Sequence, residues 1–101
     1  MSFVRINVEQ ARELIDKGGA QVVDVRDAAS YQSGHIPGAE AIDQVNVEAF
    51  IKRADLARPL IVCCYHGNMS QGAAEYFSRS GFNQTYSLDG GYEAWHMSGG
   101  R

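Results

Sequence analysis

Apolar positions along this chain alternate between short continuous runs and helical i, i+3, i+4 spacings. The alternation predicts five strands separated by helices. Phe3 to Ile6 is a short strand expected at a sheet edge. Asn7 then caps a helix, with Gln10 in the reciprocal position three residues on, and Val8, Ala11, Leu14 and Ile15 share one face. Lys17 followed by Gly18 and Gly19 ends it. Gln21 to Val25 is the next strand, and its Val22-Val23 run suits a sheet covered on both faces. Ala28 to Ser33 has room for one or two helical turns, and Gly34-His35-Ile36-Pro37-Gly38-Ala39 reads as a turn. Ala39 to Ile42 is a short strand. Helical spacing then returns at Val47, Phe50, Ile51 and Ala54, behind Asn46 as the cap.

Leu60 to Cys63 follow Pro59 as a buried strand. Ser70 is read as the cap of a helix whose inner face is Ala73, Ala74 and Phe77 and whose stop is Gly81. Thr85 to Leu88 is the last strand, and Asp89-Gly90-Gly91 a turn. Tyr92, Trp95 and His96 belong to a short closing helix, with Trp95 as a core anchor. The end, Gly99-Gly100-Arg101, should fray. Strands alternating with helices imply an α/β fold, a mostly parallel sheet of about five strands with helices on both faces.

The totals narrow the function classes. A chain of 101 residues makes one domain, 1–101. A net charge of −3, with Arg5, Arg26, Lys52, Arg53, Arg58 and Arg79 scattered, gives no electrostatic footprint for nucleic acid. The apolar runs fall far short of the ~20 residues a membrane-spanning helix needs. Met1-Ser-Phe-Val-Arg-Ile lacks a charged-then-apolar signal layout, so the expected compartment is the reducing cytoplasm, with free thiols. Vicinal cysteines rarely bridge, because the ring is strained. Two cysteines and three mutually isolated histidines predict no metal site.

The chemistry concentrates after the fourth strand. Cys64 stands where the apolar run stops, ahead of Tyr65, His66, Gly67, Asn68, Met69 and Ser70 and a helical pattern. A cysteine at the carboxyl end of a strand, facing a helix amino terminus, meets unpaired N–H groups that favour thiolate over thiol. Gly67 and Asn68 tolerate the left-handed backbone that turns amides toward one point. Cys63, inside the strand, reads instead as an inert core thiol. Arginine six residues after such a cysteine would grip a phosphate in a bidentate fork. Here that residue is Ser70, and residues 65–70 hold no lysine or arginine, which weakens a phosphatase reading. Asp24 and Arg26, at the end of the second strand, are either a solvated strand end or a brace for neighbouring loops. His35 reads as a packed, hydrogen-bonded loop residue.

Asp24-Val25-Arg26, Tyr31, Gly34-His35-Ile36-Pro37-Gly38-Ala39, the Cys64 loop and Leu88-Asp89-Gly90-Gly91-Tyr92-Glu93-Ala94-Trp95 occur in that order. Together they resemble the single-domain rhodanese family of thiosulfate sulfurtransferases over nearly the whole chain. The resemblance implies a three-layer α/β sandwich and no cofactor. It implies that Cys64 attacks the outer sulfur of thiosulfate, releases sulfite and carries a persulfide. A thiol or cyanide then removes the sulfur, and a thioredoxin-like protein is among the acceptors implied. Tyr65, His66, Gly67, Asn68 and Met69 would complete the active loop, with Ser70 beside it, and Asp24 and Arg26 would support it. The resemblance implies basic residues in this loop, as many members of the family have, and a lysine two residues beyond it, where this chain has no loop cation and has Gln71. That difference leaves a second reading open: a relay module that takes sulfur from a partner protein and turns thiosulfate over weakly.

Overall fold

The computed structural model describes residues 2–99. The elements follow the expected order: β1 (Val4–Ile6), α1 (Val8–Asp16), β2 (Gln21–Asp24), α2 (Ala28–Ser33), β3 (Glu40–Ala41), α3 (Val47–Arg53), β4 (Leu60–Cys63), α4 (Met69–Arg79), β5 (Thr85–Leu88) and α5 (Gly91–Met97). β4 and β5 have the predicted bounds. β1, β2 and β3 are shorter than predicted. The two edge strands ladder only where their single neighbours reach, β1 against Tyr86–Leu88 and β3 against Val23 and Asp24. Of the Gly99-Gly100-Arg101 end expected to fray, Gly100 and Arg101 lie outside the described residues, whereas Gly99 N donates to His96 O at 3.2 Å.

The five strands form one sheet in the order β1-β5-β4-β2-β3, with every pair parallel. β4 lies at the centre and is buried along its whole length, as its unbroken apolar run requires. Alternation along the strands feeds two cores. Ile61 and Cys63 join Ile6, Val22 and Leu88 beneath Ala11 of α1 and Trp95 of α5. Leu60 and Val62 join Val23 beneath Phe50 of α3 and Ala74 and Phe77 of α4. Phe77 meets Phe50 and Phe82 edge-on, at 6.0 and 5.7 Å between ring centroids. Both faces of the sheet are therefore covered, as the Val22-Val23 run predicts.

Local capping sets where the chain enters the layers. Asn7 and Gln10 form the expected reciprocal box: Gln10 N donates to Asn7 Oδ1 at 2.8 Å, and Asn7 N to Gln10 Oε1 at 2.9 Å. Such a cap is worth about 1 kcal/mol. Asn46 departs from expectation. It stands at the N-cap position, but its backbone is already helical and its side chain makes no capping bond to α3. It turns back instead, accepting from Asp43 N at 2.8 Å and donating to Ala41 O at 3.0 Å.

The strand order sets the site. From β2 the chain moves outward to β3, whereas from β4 it moves the other way to β5. The carboxyl ends of β2 and β4 therefore flank the point where the winding reverses, the crevice that parallel sheets use for ligands. Asp24–Arg26 leaves one side of that crevice and Cys64 the other. Val25 N donates to Cys63 O at 2.9 Å and holds the two strand ends together.

Candidate active site

Cys64 is 1% exposed, at the bottom of the turn that joins β4 to α4. Gly67 N donates to its sulfur at 3.2 Å and Ser70 N at 3.1 Å. Ser70 is the second residue of α4, so the sulfur fills the position of a capping oxygen for one of the helix's orphan N–H groups. This corrects the reading of Ser70 as the cap. Asn68 precedes the helix with no side-chain bond to it, and the Ser70 hydroxyl turns inward to Ser87 Oγ at 2.8 Å. Either hydroxyl can donate in that pair. With Ser87 as donor, the Ser70 proton is free for the sulfur.

These groups decide the state of the thiol. Burial pushes the Cys64 pKa up, but the Ser70 hydroxyl and the amides of Ser70, Gly67 and His66 together outweigh it and leave the pKa below the ordinary thiol value. Its neighbour goes the other way. Cys63 is fully buried on the opposite face of the sheet, and burial, followed by the Asp24 carboxylate, pushes its pKa far up. One cysteine is prepared as a thiolate and the other is locked as a thiol.

The loop keeps its shape because a second segment is pressed against it. Tyr92 N donates to Cys64 O at 2.8 Å, and Glu93 N to Tyr65 O at 3.2 Å. Gly91 permits that approach: at φ +61°, a Cβ there would lie 2.5 Å from Cys64 O. Gly67 faces the same constraint from the other side, at φ +94° with Gly90 N 2.8 Å from a would-be Cβ. Gln71 Nε2 donates to Gly67 O at 2.9 Å, so the residue that follows Ser70 secures the loop backbone. Tyr65 reaches away to Asp27, donating to its carboxylate, while Asp27 N donates back to Tyr65 Oη at 3.2 Å. That hydroxyl, with the Ser30 bonds, holds the Asp27 carboxyl well below its usual range. His66 lies at the rim with Nε2 3.3 Å from Glu93 Oε1, both side chains more than half exposed. Met69 is 54% exposed.

Asp24 and Arg26 form a buried ion pair, at 2.8 Å between Arg26 Nη2 and Asp24 Oδ2. A second bond runs from Arg26 Nε to Asp24 Oδ1 at 3.0 Å, and Arg26 N donates to the same oxygen. Arg26 Nη2 also donates to Gly34 O at 2.7 Å, and its guanidinium lies 4.3 Å from the Tyr92 ring centroid. The pair therefore braces the Gly34 turn and the Tyr92 segment, which in turn holds the Cys64 backbone. His35 stays with its own turn: its ring stacks on Tyr31 at 3.8 Å, and Nδ1 lies 2.8 Å from Tyr31 O.

Sequence reasoning treated Asp89–Gly91 as a turn and Tyr92 as part of a short helix. It missed that Gly91, Tyr92 and Glu93 clasp the Cys64 loop. The available signal was the double glycine before an aromatic, which marks close backbone contact. Ser87 was also missed, as a polar residue inside a strand facing the buried Ser70.

A sulfur that accepts from converging backbone N–H groups suits a chemistry in which anionic sulfur arrives, is held and departs. The comparisons with known proteins agree with that chemistry. The thiosulfate sulfurtransferase GlpE of Pseudomonas paraeruginosa is 57% identical over 94 residues, covering 93% of this chain and 84% of that protein. The GlpE of Pseudoalteromonas translucida is 46% identical over 98 residues, covering 97% and 93%. The crystal structure of a rhodanese-related protein from Thermoplasma volcanium superposes with a TM-score of 0.82 at 27% identity, covering 98% of this chain and 96% of that one. The model of the rhodanese-like domain matches residues 7–98, a span that takes in the Asp24–Arg26 brace, the Cys64 loop and the Gly91–Glu93 clasp, and the chain belongs to that family.

Proposed function

We propose that this chain is a thiosulfate sulfurtransferase, an enzyme whose single domain carries sulfur as a persulfide on Cys64. The observation that carries the reading is the Cys64 sulfur bonded by the Gly67 and Ser70 amides at the start of α4, with its pKa below the ordinary value. In the first step the Cys64 thiolate attacks the outer sulfur of thiosulfate. The new S–S bond forms as the old one breaks, and sulfite leaves with the electron pair. In the second, cyanide or a thiolate attacks the outer sulfur of the persulfide, and Cys64 leaves as the thiolate it was. This is covalent catalysis, one difficult transfer divided into two easier ones.

Each state of the cycle bears negative charge on sulfur at one point, and the His66, Gly67 and Ser70 amides supply fixed donors there, as an oxyanion hole does for oxygen. Asp24 and Arg26 are positioning residues that act through Tyr92. No cofactor enters the cycle. The substrate is thiosulfate, which the relatives' name gives for them. The acceptor class is a thiol, with a thioredoxin-like dithiol protein as one candidate, and the compartment is the reducing cytoplasm. Among the described residues no helix is long and apolar enough to cross a membrane.

The test is thiocyanate formation from thiosulfate and cyanide. Cys64→Ser is expected to lower kcat/KM by about a thousandfold or more, as loss of a nucleophile does. Cys63→Ser stays within about twofold of wild type, since a buried thiol kept protonated takes no part in covalent catalysis. Full activity in Cys64→Ser would overturn the mechanism.

A further inference from the structure

Beside the active loop lies an open cleft of about 650 Å³ that shares only Met69 with that loop. Met69, Ala73 and Phe77 of α4 form one side, with Ile42 and Val47 opposite. Met69 is the chain neighbour of Ser70, whose amide bonds the Cys64 sulfur, so the cleft reaches the residue that ends the active loop. Of the six large apolar side chains most exposed among the described residues, Met69 at 54% and Tyr76 at 44% line it. Val45, at 92%, stands between the lining residues Gln44 and Val47. Such a cluster on a small domain marks a surface that another molecule covers.

The rim has a sign. Asp43 and Glu48 both line the cleft, and neither pairs with a lysine or arginine among the described residues. Both carboxylates are fixed in place. Asp43 Oδ1 accepts from the amides of Val45 and Asn46 at 2.8 and 3.0 Å, and Glu48 accepts from the Tyr76 hydroxyl. On the loop itself residues 65–70 hold no lysine or arginine, and His66 already faces Glu93. An apolar trough with two preset carboxylates complements an apolar side chain accompanied by a cation.

We propose that this cleft docks the protein that takes sulfur from Cys64, through a segment that presents an apolar side chain beside a lysine or arginine, close to its acceptor cysteine. The inference rests on the persulfide reading above and adds the identity of the recognition surface. In the step it serves, the partner's thiolate attacks the outer sulfur of the Cys64 persulfide. A bond forms between those two sulfurs, the bond to Cys64 breaks, and Cys64 leaves as thiolate. The partner departs as a persulfide, its thiol proton having gone to solvent, and no oxidant is required.

The test loads the enzyme with thiosulfate, verifies one added sulfur by intact mass, and measures its discharge onto three acceptors. Two are synthetic peptides of equal length with a single cysteine beside leucine, one also carrying lysine and the other glutamate at the same place. The third is cyanide. The lysine peptide is expected to discharge the persulfide about tenfold faster than the glutamate peptide, the scale of a favourable against an unfavourable contact with a preset charge. Glu48→Gln is expected to shrink that ratio to about threefold or less, as removal of one of two rim charges should. Val45→Ser slows the lysine peptide, and both variants leave discharge to cyanide unchanged. Equal rates for the two peptides, or a ratio that survives Glu48→Gln, would overturn the docking proposal. Failure to load would overturn the persulfide reading and this proposal with it, and it is visible in the mass before any acceptor is added.

Discussion

At the scale of single residues the site depends on where hydrogens point and where a Cβ cannot go. Gly91→Ala must hold a left-handed backbone that costs an L-residue about 1–2 kcal/mol, and its methyl would lie 2.5 Å from Cys64 O. The expected outcome is a loop displaced from the Tyr92 and Glu93 amides and a fall of about tenfold or more in kcat/KM, the penalty for small misplacement of reacting groups. Unchanged kinetics would mean that the clasp has no part in positioning the sulfur. The depressed Cys64 pKa carries a sign. The thiolate persists as pH falls below the ordinary thiol value of about 8.5, and persulfide formation declines only beneath the depressed value. The same shift makes the thiolate a stabilising group. Its contribution is present above the unfolded pKa and lost as pH falls through the folded one. Ser70→Ala, without the hydroxyl, should move the profile of alkylation rate against pH to higher pH. An unmoved profile would leave the backbone amides alone responsible. Both thiols are buried, but Cys63 is held as the unreactive thiol while the Cys64 pKa is lowered, so iodoacetamide should label one thiol per native chain and two after denaturation.

Among the elements, β2 and β4 carry the site because their carboxyl ends meet where the winding reverses. Arg26→Leu would leave Asp24, fully buried, without its partner. Breaking a buried pair in this way costs about 3–5 kcal/mol, read as a lower midpoint in urea, and the Tyr92 segment loses its brace at the same time. Phe77→Ala in α4 empties the centre of the second core, and a loss of about 3–5 kcal/mol is expected there too. Much of this level was legible in the sequence. The unbroken run Leu60 to Cys63 after Pro59 reads as a buried strand, Val22-Val23 as part of a sheet covered on both faces, and Asn7 with Gln10 announces its capping box. The caps that failed were Asn46 and Ser70. A capping side chain at either position competes with other partners: for Asn46 these are Asp43 and Ala41, three and five residues back, and for Ser70 it is Ser87, brought by tertiary contact. No local pattern reports the Ser87 partner.

The whole molecule joins three segments distant in sequence, the Asp24–Arg26 strand end, the Cys64 loop and the Gly91–Glu93 clasp, into one mechanical unit around one sulfur. Spacing and residue type pointed to Cys64, and the order of the remaining segments carried the family resemblance. Which atoms touch was beyond the sequence, because parallel pairing and the clasp are contacts between residues far apart in the chain. The cleft beside Met69 was equally hidden, since its walls come from the stretch after β3, from α3 and from α4. The central claim is that Cys64, and not its neighbour, carries the transferred sulfur. Intact mass under nonreducing conditions, after brief exposure to thiosulfate and desalting, tests it most directly. The account predicts a gain of one sulfur atom that cyanide removes, present in Cys63→Ser and absent in Cys64→Ser. A gain that persists in Cys64→Ser, or no gain in the wild-type chain, would contradict it.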